Sequence, residues 1–191
     1  MLKFAIALLA VTTAILGFQS SGVQADRSVV VDALAQNRST PYFPNVSGRN
    51  INNRSYNLPG DFEGEYNVVL LAFAQEQQFS VNTWMEALRA VESQYSGVRV
   101  YELPTLPEMS WFERKQLDFW MATGISDPLS RATTITLYTD MNNIQNALKI
   151  GNTSKVRLFL VDRAGKVYWR GQGVYSEAQF QELSNVIVAL Q

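Results

Sequence analysis

In NVVLLAFAQEQQFSVNTW, residues 67–84, an apolar run from Val68 to Phe73 stops at a polar stretch, Gln75 to Gln78, and a helical pattern follows. A strand that feeds a helix through a polar loop is a natural place for chemistry, because a helix start presents backbone N–H groups without intrahelical partners. Gln78 and Phe79 stand at that start, where those groups could hold a small anion or a client carboxylate. The loop brings no nucleophile to the task, since the chain has no Cys and no His. Disulfides, thiol redox chemistry and zinc held by Cys or His are therefore excluded, and so is the commonest general base.

Carboxylates remain. Asp61, Glu63 and Glu65 alternate in DFEGEY. Paired carboxylates can act as acid and base on a glycosidic bond. These flank Gly64 with no aromatic sugar platform nearby in sequence, so they read as a solvated turn. Asp140 and Asp162 each follow an apolar strand and read as a helix cap and a turn residue. A carboxylate enzyme, with or without a bound cation, would need Asp61, Glu63, Asp140 or Asp162 to converge on one pocket. Other residues suit binding. Trp84 lies on the helix that leaves the loop. Trp111, Phe112, Phe119 and Trp120 crowd a second helical segment. Core packing is the default for most of these rings. Positions 112, 116, 119 and 120 share a helical face and 111 lies off it, so an exposed remainder would make a protein or membrane contact. Arg131 stands close to Asp127 in SDPLSRATT, where a guanidinium can lock a loop through its carbonyls or touch a client. Trp169 and Arg170 could form a recognition edge. Strand alternation puts Val167 and Trp169 on one face, Tyr168 and Arg170 on the other.

The elements that must position these residues follow from periodicity. Residues 68–73 read as a buried strand. Phe79, Trp84, Leu88, Val91 and Tyr95 mark a helix that Gly97 ends. Residues 98–103 form a strand, and 104–124 a helical insert with capping-box spacing between Ser110 and Glu113. A loop leads to a short strand near 133–138. Asp140 caps a helix that Gly151 closes. Two strands flank Asp162–Gly165 as a hairpin, and Ser176 caps a last helix. NVSGRNINNRSYNLPG reads as a hairpin or extended lead-in within a polar N-terminal extension, 26–55, and the domain proper spans 56–191. The alternation predicts an α/β mixed sheet with helices on both faces.

The first 25 residues have one Lys, an apolar run from Phe4 to Phe18, and small and polar residues ending at Ala25. That is the layout of a secretory signal peptide. An uncleaved anchor is the alternative, although the run is short for a hydrocarbon core roughly 30 Å thick. With 16 basic and 17 acidic residues the net charge is −1, which gives no reason to expect nucleic acid as a partner. Asn37, Asn45, Asn53 and Asn152 open glycosylation sequons whose use depends on the host.

The order of elements resembles the thioredoxin-like superfamily, especially its peroxiredoxin-type branch. Alignment of Phe73 with that family's strand end places its two cysteine positions at Gln78 and Val81. The family's cis-proline would fall near Ser154 to Val156, where no proline stands. The segments QQFSVNTW, GISDPLSRATTITLYTD and VRLFLVDRAGKVYWRGQG are similar to the redox-inactive mitochondrial ATP-synthase assembly factors and their bacterial relatives, over roughly residues 56–190. That resemblance implies no enzyme activity, no prosthetic group and a chaperone-like role toward a membrane subunit. A secretory leader would place the chain in a periplasm or thylakoid lumen, opposite the matrix side where the mitochondrial members work. The contacts expected are the Gln78–Phe79 helix start with Trp84, the insert and loop with Trp111, Trp120, Asp127 and Arg131, and the hairpin edge with Trp169 and Arg170.

Overall fold

A computed structural model of the protein describes residues 41–191, apart from the side chains at 117 and 120. The leader, the extension from 26 to 40, the Asn37 sequon and any contact through the Trp120 ring lie outside the described residues. The strands are β1 (Val46–Asn50), β2 (Ser55–Leu58), β3 (Tyr66–Ala72), β4 (Val98–Leu106), β5 (Ile135–Tyr138), β6 (Arg157–Asp162) and β7 (Val167–Gln172). The helices are α1 (Gln78–Gln94), α2 (Trp111–Gly124), α3 (Pro128–Thr133), α4 (Met141–Leu148) and α5 (Glu177–Leu190). The seven strands form one sheet in the order β2-β1-β5-β4-β3-β6-β7. Among the described strands, neighbours are parallel at β3–β4 and β4–β5 and antiparallel at every other pairing. The β1–β2 hairpin pairs with β5, so the segment read as a polar extension contributes a strand to the sheet.

β3 is apolar throughout because both of its faces are covered. Val68 and Leu70 pack beneath α1 and α5, with Trp84, Leu88, Leu183 and Ile187. Val69 and Leu71 face the opposite layer, with Ile144 and Leu148 of α4 and Phe62. Helices thus flank the sheet on both sides, as expected. On α1, Val81, Trp84, Leu88 and Val91 are buried at the helical spacing read in the sequence. Such burial contributes on the order of 2 kcal/mol per side chain.

Four boundaries differ from the sequence reading. β4 continues through Pro104 to Leu106, because its last residues pair with β5. The loop before β5 contains α3, capped by Asp127 with Pro128 in its first turn. α1 stops at Gln94, and α4 ends on Lys149 in a left-handed conformation rather than at Gly151. In β7 the step from Val167 to Trp169 faces the single step from Val161 to Leu160, a bulge at Tyr168. Val167 therefore packs in the α4 layer and Trp169 in the α1–α5 layer, so the two do not share a face. The expected β6–β7 turn is present, with Gly165 at φ +85° in the region that favours glycine.

Candidate functional site

β3 ends at Ala72, and a 3-10 turn, Gln75–Gln77, leads into α1. Gln77 ties this loop down: its Oε1 accepts from the Phe73 N–H at 2.8 Å and its Nε2 donates to the Thr153 carbonyl at 2.7 Å. The Gln78 N–H already bonds the Gln75 carbonyl, so the turn consumes one of the donors expected at the helix start. Phe79 is 73 % exposed. Val81 is fully buried in the core between α1 and the sheet. Trp84 is buried too. Its Nε1 donates to the Gly173 carbonyl at 2.9 Å and its ring meets Tyr175 and Trp169 edge-on. Trp84 and Trp169 are therefore packing residues whose rings no partner reaches. Arg170 is exposed, donates to the Leu148 carbonyl and lies over the Phe159 ring.

Beside Gln78 a cleft of about 1870 Å³ opens between α1, the later part of β4, the α2–α3 segment and the β1–β2 hairpin. Met85, Leu106, Met121 and Ile125 supply apolar wall. Glu102 of β4 lies on the floor. Its strand neighbours on that face, Val98 and Val100, are sealed under α1, and β4 carries Glu102 just past that seal. Burial raises the Glu102 carboxyl above the ordinary glutamate range, while a hydrogen bond from Gln78 and the charge of Arg89 oppose the rise. Arg89 pairs with Glu92 at 2.6 Å and donates to Thr133 Oγ1 at 3.0 Å, so it ties α1 to α3 across the cleft. Glu92 Oε1 accepts from the Val100 N–H at 3.1 Å, a donor on a stretch of the β4 edge that no strand among the described residues covers. Sequence reading missed Glu102. The available signal was a carboxylate inside VRVYELPTL, a strand otherwise able to bury both faces.

Asp127 and Arg131 sit on α3, at the far wall. Asp127 accepts from the Ser130 N–H and hydroxyl, which hold its carboxyl below the usual range. Arg131 donates to the carbonyls of Ala122 and Ile125 at 2.8 Å and to Asn52 Oδ1 at 3.2 Å. It closes the C-terminus of α2 and joins the insert to the hairpin turn. Among its described side chains, α2 meets the sheet through polar groups: Tyr138 donates to Asp118 at 2.8 Å, and Arg114 lies over the Tyr138 ring. Trp111 and Phe112 stand 72 % and 70 % exposed.

The four carboxylates of the enzyme reading do not meet. Asp140 caps α4 beyond the end of β5. Asp162 lies at the other end of the sheet, where it accepts from Ala164, Lys166 and Tyr168. Asp61 accepts from the Asn57 N–H and Glu63 pairs with Arg54. Among the described residues no group of three or more acidic side chains is placed to hold a metal ion. No helix among them is long and apolar enough to cross a membrane.

No protein-family model matches the chain, and no curated protein does. Solved structures do. The exposed lipoprotein thioredoxin of Streptococcus pneumoniae strain TIGR4 aligns over 76 % of this chain and 99 % of its own, at 10 % identity and TM-score 0.51. A putative electron transport protein from Aquifex aeolicus VF5 covers 78 % and 96 % at 10 % identity and TM-score 0.54. BsSco, of the Sco family of cytochrome c oxidase assembly proteins, covers 78 % and 94 % at 14 % identity and TM-score 0.51. The chain has a thioredoxin-like fold. The two positions that the resemblance assigns to that family's cysteines are Gln78, at the head of α1, and the buried Val81.

Proposed function

We propose that this chain is an exported, redox-inactive thioredoxin-like protein that acts by binding another protein, as an accessory or assembly factor for a membrane complex such as ATP synthase. The cleft carries the reading. It opens beside the position where the fold would keep its thiols, and its volume of about 1870 Å³ exceeds the roughly 300–1,000 Å³ of small-molecule sites. A groove of that size suits a polypeptide segment. Two methionines in its wall, Met85 and Met121, can adapt to varied side chains. The exposed Trp111 and Phe112 extend the contact surface. The leader's layout supports export. The resemblance of the long C-terminal segments to ATP-synthase assembly factors supports the choice of client.

The test is crosslinking of a tagged copy in its native envelope, with partners identified by mass spectrometry. The expected result is a discrete partner set that W111A/F112A loses while remaining folded. Enrichment of ATP-synthase membrane subunits supports the named client, and a different discrete set replaces it. Partners indifferent to W111A/F112A and to Gln78→Arg count against the binding reading.

A further inference from the structure

The cleft is not electrically neutral, and its charges are unevenly committed. Three arginines and five carboxylates line it. Arg54 is taken by Glu63 and Arg89 by Glu92, at 2.7 and 2.6 Å. Arg99 donates to the Ser96 and Val98 carbonyls, where β4 has no further strand neighbour among the described residues. Asp127 is occupied by both Ser130 donors. Glu86 and Glu102 remain, with neither an ion pair nor a pair of donors of that kind. Glu86 is exposed on the cleft wall of α1, with no hydrogen bond or ion pair among the described residues. Glu102 lies on the floor and is met by the neutral amide of Gln78, the nearest guanidinium being already paired. Beside this pair the wall is apolar, through Met85, Leu106 and Met121.

We infer that the occupant of this cleft is a segment of another protein chain that carries lysine or arginine among apolar residues, its cations received by the carboxylates of Glu86 and Glu102 and its apolar side chains by the methionine-lined wall. The inference rests on the protein-binding reading above and specifies the partner's chemistry. Charge complementarity selects a cation, because the five carboxylates of the lining outnumber its three arginines. Burial selects it a second time: a half-buried carboxylate whose ionised form lacks a full counter-charge gains from an incoming one. The apolar wall selects against a free metal ion or a small hydrophilic amine, which would leave it uncovered.

The test uses three short fluorescent peptides with identical leucines, in which the alternate positions are lysine, glutamine or glutamate. Binding to the full mature chain is read by anisotropy at low and high salt. The lysine peptide is expected to bind about tenfold more tightly than the glutamine peptide, with the gap shrinking in salt. Glu86→Gln with Glu102→Gln should abolish that gap, whereas Glu182→Gln, on the remote α5, should keep it. Because Glu86 is exposed, E86Q alone folds and should reduce the gap even if the double variant is unstable. Equal binding of the lysine and glutamine peptides, an unchanged gap in E86Q, or no binding at all overturns the inference. Self-association of the chain that the lysine peptide displaces would assign the cleft to a second copy and overturn it too. If crosslinking still yields partners that W111A/F112A loses, the protein-binding reading survives that failure.

Discussion

α1 and α2 leave the same end of the sheet, from the neighbouring parallel strands β3 and β4, yet they obey opposite burial logic. α1 puts Val81, Trp84, Leu88 and Val91 against the sheet and shows Gln78, Asn82 and Glu86 to the cleft. α2 holds to the sheet through Asp118, Arg114 and the Arg131 clasp, and shows Trp111 and Phe112 to solvent. Among the described side chains, α1 is fixed by apolar burial at on the order of 2 kcal/mol each, and α2 by hydrogen bonds of about 1 kcal/mol net each. One helix is scaffold, and the other displays aromatic surface and is held by polar clasps. The cleft between them joins the rigid wall of α1 and β4 to that displayed segment.

The sharpest way to break this contrast is Trp84→Ala. Loss of a fully buried indole should cost about 3–5 kcal/mol, measured by denaturant unfolding. A smaller loss than for any α2 variant would reverse the assignment of scaffold and surface. Next, Arg131→Ala should cost on the order of 2 kcal/mol through its lost carbonyl bonds. Hydrogen exchange should rise across α2 and leave α1 protected; uniform exchange in both helices would contradict separate anchoring. Glu102→Gln tests the rigid wall by pH. The folded pKa of Glu102 is raised by burial, so its contribution to stability is intact in acid and is lost as pH rises through that folded value. The Gln variant escapes this loss, so its melting point should exceed the parent's by a few degrees near neutrality. The two should converge below the ordinary glutamate value of about 4.3. A constant offset across pH would mean that burial does not perturb Glu102. Smallest in stability is W111A/F112A, expected within about 0.5 kcal/mol of the parent, since neither ring is buried.

Much of the scaffold was legible from sequence because it rests on periodicity. The apolar run of β3, the four-three spacing along α1, the capping box at Ser110 and the Asp162–Gly165 turn all state local rules that the fold keeps. Features set by distant packing were not legible. Pro104 reads as a strand stop, yet β4 passes it because β5 supplies a partner beyond. α3 carries a start signal in Asp127-Pro128, but its six residues are too few to show a period. The bulge at Tyr168 breaks the alternation that grouped Val167 with Trp169. At the site, Gln78 and Phe79 could be placed at the start of a helix, from the polar stretch that ends the apolar run. Glu102 could not, because a carboxylate in a strand reads as solvent-facing until α1 is laid over the neighbouring residues. The exposure of Trp111 was foreshadowed, since it lies off the face shared by 112, 116, 119 and 120, but that of Phe112 was not, because an aromatic ring on that shared face suggests core.

The account stands or falls on the cleft as the binding surface, and site-specific photocrosslinking addresses that most directly. A photoreactive residue would replace Asn82, on the cleft wall of α1, and in a separate copy Gln181, exposed on α5. The account predicts discrete adducts in the native envelope from position 82, lost in the W111A/F112A background, and none from position 181. Identical adducts from both positions, or adducts from 181 alone, would contradict it.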